Sequence, residues 1–339
     1  MSIDIFSTRQ MMLALEQRKP VHTFLRSMFV RQVVKSESEY VDMDIEKGKR
    51  RLAPFVDHRL EGKVVSREGY ETKTVKPAYI KQKMVTTAED VLRRSPGETI
   101  YSAKSPEQRA AELLGKDMAT LDDMITRREE WMVAQGVFTG KVDVVGEGVN
   151  YTVDFGYEPD VHKITLGTGS KWGDSGVDVL ADLREWRRDI IKRSGLTPNI
   201  ALMGSGAVDA FIAALPEKAL NYRKVELAQI NPAMLPQGVT YWGYVQDSAL
   251  DIYSYDEWYL DDNGVEQPMV PVNAVLLAST AARTVMHYGC IKDLAALYAV
   301  DRHAKSWVVE DPSARFLLMQ SAPLFNPVQV DGFQVITVK

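Results

Sequence analysis

The chain has 339 residues, 45% of them hydrophobic and 26% charged, a globular composition that excludes wholesale disorder and collagen-like structure and predicts about two folded units. No apolar run approaches the ~20 residues of a membrane span, and the start Met1-Ser2-Ile3-Asp4 lacks a secretory pattern. The single cysteine, Cys290, excludes an intramolecular disulfide and a structural zinc site, so the expectation is a soluble protein of a reducing cytoplasm.

The net charge of −5 argues against bulk coating of nucleic acid, but it is unevenly spread. Residues 1–100 hold 19 basic and 14 acidic side chains, a net +5, and the remainder 22 and 32, a net −10. Lys47–Lys83 alone carries 11 basic residues against Asp57, Glu61, Glu68 and Glu71. A basic segment on an acidic body suits an anionic partner or the acidic face of another copy, and equally a solvated hairpin.

In chain order, residues 1–30 read as an arm, with a short helix over Thr8–Arg18 and no clean periodicity from Pro20 to Val30. Phe24, Leu25, Met28 and Phe29 must bury on their own domain or on a neighbouring chain. Residues 41–86 alternate, with Gly48, Gly62 and Gly69 as punctuation and Pro77 near the return. This predicts a long, basic, two-stranded ribbon with too few apolar residues to form its own core.

Ser105-Pro106-Glu107-Gln108 predicts a capping box with proline at the first helical position. Ala110, Leu113, Leu114, Met118, Leu121, Met124, Ile125, Trp131 and Met132 then follow a helical stripe, with Gly136 as the expected stop. Such a helix spans ~45 Å and needs a sheet laid along it. Strands are expected at Lys141–Val145 and Tyr151–Phe155, a glycine-rich loop at Gly167–Ser170, and a helix over Val177–Arg193 closed by Gly195. A strand over Pro198–Met203 runs into Gly204-Ser205-Gly206 and a helix, and helical stretches end at Pro216 and near Asn231-Pro232. Strands return at Val239–Val245, Leu250–Leu260 and Asn273–Ser279, with a hairpin turn at Asp262-Asn263-Gly264, and short strands fill the last third. There is no internal repeat, and the class is mixed α+β.

Candidate chemistry is sparse. None of His22, His58, His162, His287 and His303 has the spacing of a zinc-protease pair, and Asp261-Asp262-Asn263-Gly264 lacks the alternating ligands of a calcium loop. Gly204-Ser205-Gly206, between strand and helix, is the one alternative site for a soluble enzyme or nucleotide binder. It matches neither G-x-S-x-G nor a P-loop, and a tight structural turn is the expected reading. Cys290 is expected to be a buried, inert thiol. Phe55, Tyr70 and Tyr79 on the basic ribbon would suit nucleic-acid stacking, but no RRM, KH or helix-turn-helix signature accompanies them. No catalytic residue, cofactor or metal is expected. A folded body with two projections that cannot bury themselves implies self-assembly.

The C-terminal block carries a resemblance: Tyr288-Gly289-Cys290-Ile291-Lys292-Asp293, Trp307, Asp311-Pro312 with Arg315, and Met319-Gln320-Ser321-Ala322-Pro323-Leu324. Weaker matches are Phe24-Leu25-Arg26, Pro77-Ala78-Tyr79-Ile80-Lys81, Gly140-Lys141 and Gly146-Glu147. On these residues the chain resembles the major capsid proteins of tailed bacteriophages, and more narrowly the lambda-like major head proteins, the phage capsid E family. The resemblance implies the HK97-like α+β capsid fold, divided into an N-terminal arm (1–40), an extended loop (41–90), a spine helix with the first P-domain strands (91–176), an A domain (177–282) and returning strands (283–339). It implies pentamers and hexamers of this chain in an icosahedral virion shell, assembled in the bacterial host cytoplasm around double-stranded DNA without sequence-specific binding. The implied partners are further copies, a separate scaffolding protein, a portal protein and in some members a decoration protein, with no membrane. The loop of one subunit would lie over a neighbour's spine helix, which makes Arg50, Arg51, Lys63, Arg67, Lys73, Lys76, Phe24 and Phe29 the expected inter-subunit contacts.

Overall fold

The computed structural model describes residues 8, 11, 12, 15, 23–46, 52, 53, 55–61, 70–93, 105–215, 228–235, 238–294, 299–311 and 313–339. Helix α1 (Phe24–Phe29) places Leu25 and Phe29 four residues apart on one buried face, and strand β1 (Gln32–Lys35) follows it. The ribbon is β2 (Val41–Glu46) paired antiparallel with β3 (Tyr70–Val75). Alternation in β2 sends Val41, Met43 and Ile45 inward to the main core, so the base of the ribbon is anchored in its own chain.

The ribbon is shorter than its alternation predicts. β4 (Ile80–Thr87) leaves it after Pro77 and joins a different sheet, in the order β16 (His303–Val309), β17 (Ala314–Ser321), β4. Its described part is also acidic. Asp42, Asp44 and Glu46 point outward from β2, and Thr74 and Thr72 donate to Asp42 and Asp44 at 2.6 and 2.7 Å. The basic excess therefore lies in the residues between the two strands and in those beyond β3.

After a short helix, α2 (Ala88–Leu92), the long helix α3 (Pro106–Thr139) begins with the predicted capping box between Ser105 and Gln108. Its 34 residues span about 51 Å. Gly136 does not end it; Gly140, at φ 70°, does. Gly136 instead admits Phe325, because a Cβ there would sit 2.5 Å from the ring. The first half of α3 buries Met118, Leu121 and Ile125 against Ala304, Leu317 and Met319 of the β16–β17–β4 sheet. The second half buries Met132, Val133, Val137 and Phe138 in the main core. The sheet expected along the helix is thus two separate packing surfaces.

The hairpin β5 (Lys141–Gly146) and β6 (Val149–Asp154) leads to β7 (Lys163–Thr165). Asp178 caps helix α4 (Val179–Ser194), and Gly195 closes it at φ 79°. β8 (Ile200–Met203) runs into α5 (Ser205–Ala214). Ala228–Met234 is a strand, β9, where a helical stretch was expected near Asn231-Pro232; it edges a sheet against β10 (Val239–Val245). Then come β11 (Leu250–Tyr255), the hairpin β12 (Trp258–Leu260) and β13 (Glu266–Pro268), β14 (Ala274–Ala278), β15 (Val285–Tyr288), β18 (Pro323–Asn326) and β19 (Phe333–Thr337).

A seven-stranded mixed sheet, β7-β19-β14-β8-β11-β10-β9, organises the body. Its strands β8 and β14 are apolar throughout because both faces are covered. Leu202, Leu276 and Val335 face the main core with α3, while Met203, Val275 and Ile336 face α4 and α5. A small sheet, β1-β15-β18, ties the arm to the C-terminal strands.

Candidate assembly interface

The Gly204 turn is filled by its own chain. A Cβ on Gly204 would lie 2.2 Å from the Pro271 carbonyl oxygen and 2.5 Å from that of Val272. The Val272 carbonyl also accepts from Ala207 N–H at 3.0 Å, occupying the N-terminus of α5 that a phosphate would need. The glycine is there for close backbone approach, as expected of a structural turn. Among the described residues, no group of three or more His, Cys, Asp or Glu could hold a metal ion. Asp261 caps its own turn, accepting from Asn263 N–H and Val265 N–H at 2.9 Å each. Cys290 is a free thiol and half-buried rather than buried.

The most elaborate chemistry lies where the arm meets α3. Glu129 and Glu130 are adjacent on the helix and both buried. The Glu130 carboxylate accepts from Leu25 N–H at 2.6 Å and Arg26 N–H at 2.9 Å, capping the first turn of α1. Burial pushes the Glu130 carboxyl up, against the opposing pull of those two amides. Glu129 accepts from Arg302 at 2.6 Å and from the Tyr288 hydroxyl at 2.9 Å. Arg26 forms an ion pair with its other oxygen at 3.1 Å, off the direction of a hydrogen bond, and also donates to Tyr288 at 3.1 Å. Arg302 reaches Asp122 at 3.0 Å as well. Burial opposes the Arg302 charge, but Glu129, Tyr288 and Asp122 outweigh it and raise its pKa.

A second cluster fixes the foot of the ribbon. Glu39, just before β2, accepts from Lys76, just after β3, at 2.8 Å and from Lys292 of the C-terminal motif. Hydrogen bonds from Lys292 and Lys76 hold the Glu39 carboxyl down at about 2, and its contact raises the Lys76 pKa. Both ends of the ribbon are therefore clamped to one point on the body.

All four described contact candidates have partners in their own chain. Phe29 is 2% exposed and packs edge-on against Phe333, so it is a core residue and not an available inter-subunit contact. Phe24 lies between Tyr253 and Tyr255. Lys73 donates to the Asp154 carbonyl at 3.2 Å, and Lys76 holds Glu39. The arm buries its apolar residues in its own domain because β1 pairs with β15 and places α1 over the main core. Arg50, Arg51, Lys63 and Arg67 lie outside the described residues. The residues that sequence reasoning missed are Glu129, Glu130 and Arg302. The available signal was a pair of glutamates next to Trp131 and Met132, near the apolar stripe of an amphipathic helix.

A long helix on two sheets, an arm returned to the body and a ribbon extended from it make up the HK97-like α+β fold of phage capsids. A solved prophage capsid protein of Escherichia coli CFT073 matches with a TM-score of 0.75 at 20% identity, over 98% of this chain and 99% of that one. The chain belongs to the family of phage major capsid protein E, whose model matches residues 7–338. It is 30% identical to the major capsid protein of Enterobacteria phage P21, over 99% of each chain. It is 27% identical to that of Escherichia phage lambda, over 98% of each. It is thus a phage major capsid protein, a structural component of the virion shell and not an enzyme.

Proposed function

We propose that this chain forms pentamers and hexamers of an icosahedral shell around double-stranded DNA, held without sequence-specific binding. The shell is built in the host cytoplasm on a separate scaffolding protein, with a portal at one vertex; some members of the family add a decoration protein at local three-fold positions. The work is divided among an arm (1–40), an extended loop (41–90), a spine helix with its first strands (91–176), a wedge domain (177–282) and returning strands (283–339).

The observation that carries this reading is the loop between β2 and β3. Leu52 and Phe55 are 97% and 106% exposed, and Leu60 is 69% exposed. Apolar side chains on one loop that no described residue of their own chain covers are suited to burial on a neighbour. A loop of one copy on a different surface of the next is a heterologous contact, the kind that closes into rings. The basic residues flanking it, Arg50, Arg51, Lys63 and Arg67, are its electrostatic guide towards an acidic body, with Lys73 and Lys76 at its foot.

The test is charge reversal of Arg50, Arg51 and Lys63 together, followed by sedimentation and negative-stain microscopy with the scaffold encoded beside the chain. Loss of shells with a folded monomer retained is the expected result. Unchanged shells would remove these residues from the interface. Failure of the unmodified chain to form shells, tubes or capsomer rings with its scaffold would overturn the shell reading itself.

A further inference from the structure

Two apolar faces of opposite charge stand open on separate elements of the body. The first is on the β12–β13 hairpin. Its register sets Trp258 opposite Pro268 and Leu260 opposite Glu266, so these four share one face, while Tyr259 and Gln267 share the other. Tyr259 meets the Trp131 ring edge-on with centroids 6.4 Å apart, and Asp262 holds Arg128 at 3.1 Å, which fixes that second face on α3. The Trp258 face therefore points away from α3, with Trp258 52% and Leu260 67% exposed. Val265 at the tip is exposed as well. Residues 257–268 carry four acidic side chains, Glu257, Asp261, Asp262 and Glu266, and no basic one.

The second is the side of the β16–β17–β4 sheet turned away from α3. Ala304, Leu317, Met319 and Met84 pack towards the helix, so the alternate residues point outward. Trp307, Phe316 and Val85 form one outward cross-strand row, and Lys305, Leu318 and Lys83 form the next. Trp307 and Phe316 stack with centroids 5.5 Å apart and planes 13° apart, and Lys83 Nζ lies 5.5 Å from the Phe316 centroid. Each ring is thus held before any partner arrives, which lowers the ordering cost of binding there. Trp307 and Val85 are exposed, and so is Leu294, next to the Asp293 that pairs with Lys305. β4 adds the exposed Lys81 and Lys83 and no acidic residue.

Both faces are exposed in the single chain, so they do not cover one another; one is fixed on α3 and the other is turned from it. Each offers large apolar side chains edged by one sign of charge, and the signs are opposite. Identical copies supply the two faces in equal number, which a partner of any other kind would not. We propose that the β12–β13 hairpin of one copy rests on the outward face of the β16–β17–β4 sheet of a second copy. Trp258 and Leu260 lie over Trp307, Phe316 and Val85, and Glu266 lies towards Lys83. Two different patches meet, so the contact is heterologous and repeats from copy to copy around a ring. It rests on the shell reading and adds to it a contact that uses no residue of the loop between β2 and β3.

Disulfide trapping in assembled shells tests it. Leu260→Cys is combined with Val85→Cys in a Cys290→Ser chain assembled with its scaffold; both positions are exposed, so the substitutions spare the core. Non-reducing gels should show a ladder of covalently linked subunits, and the control pair Leu260→Cys with Ile212→Cys, on α5, should show none. Intact shells without the ladder, or a ladder from the control pair instead, overturn the hairpin assignment while leaving the shell reading standing. Either cysteine linking to the scaffold instead also overturns it. Absence of shells from the unsubstituted chain removes both. A charge swap decides the question without cysteines. Lys83→Glu should raise the concentration needed for assembly about fivefold at unchanged monomer melting temperature, and adding Glu266→Lys should restore it. No rise, or a rise that Glu266→Lys does not reverse, overturns the assignment.

Discussion

The seven-stranded sheet and the junction between arm and long helix are equally buried but held by different forces. At the centre of the sheet, β8, β14 and β19 bury almost only apolar side chains, on both faces. At the junction, Arg26, Glu129, Glu130, Tyr288 and Arg302 join four parts of the chain through charge and hydrogen bonds. Apolar burial is non-directional and degrades gradually when atoms are removed. A buried ionic network is directional and fails steeply when one member is lost, so it sets a single register of arm on helix. The body has a forgiving core and the arm a specific lock.

The sharpest test of that contrast is Glu129→Ala, which takes a buried counter-charge from both Arg302 and Arg26 and leaves Arg302 paired with Asp122. A loss of about 3–5 kcal/mol in denaturant unfolding is expected. Replacing both partners, Glu129→Leu with Arg302→Met, should recover much of that loss, because the desolvation penalty disappears with the charges. If the double variant is as unstable as the single one, the network is not the lock described.

In the sheet, Leu277→Ala leaves a cavity against α4 and α5 and should cost about 2–5 kcal/mol, with no double variant needed to interpret it. At the exposed start of the long helix, Ser105→Ala removes the capping box and should cost only about 1 kcal/mol. A larger effect there would mean that the cap also holds tertiary structure.

The subtlest difference is one of pH. Burial raises the Glu130 carboxyl in the folded state, so the folded protein holds that proton at pH values where the unfolded chain has lost it. Its contribution to stability is fully present below the unfolded pKa and is lost as pH rises through the folded one. The difference in melting temperature between the unmodified chain and Glu130→Gln should therefore shift against the unmodified chain as pH rises across that interval. A shift of the opposite sign would show that the amides of Leu25 and Arg26 outweigh the burial.

Local rules made much of this legible. The Ser105-Pro106-Glu107-Gln108 box, the Gly195 stop and the Asp261–Gly264 turn each depend on a few neighbouring residues, and each forms where the sequence places it. Where local signals misled, a distant contact had intervened. Gly136 looks like a helix stop, but it is small to admit Phe325 from 189 positions further along the chain. Asn231-Pro232 looks like a helix end, but Ala228–Met234 pairs with β10. Ile80–Thr87 alternates like a continuation of the ribbon, yet all eight residues pair with β17.

By itself, then, the sequence determined the α+β class and the long capped helix, because composition, periodicity and caps act over a few residues. Only the tertiary structure decided where the arm goes, that Glu129 and Glu130 face inward, and that Lys73 and Lys76 hold the ribbon to its own chain. Those outcomes depend on which surfaces meet across a hundred or more positions, and a buried carboxylate differs from an exposed one only in the partners the fold brings to it.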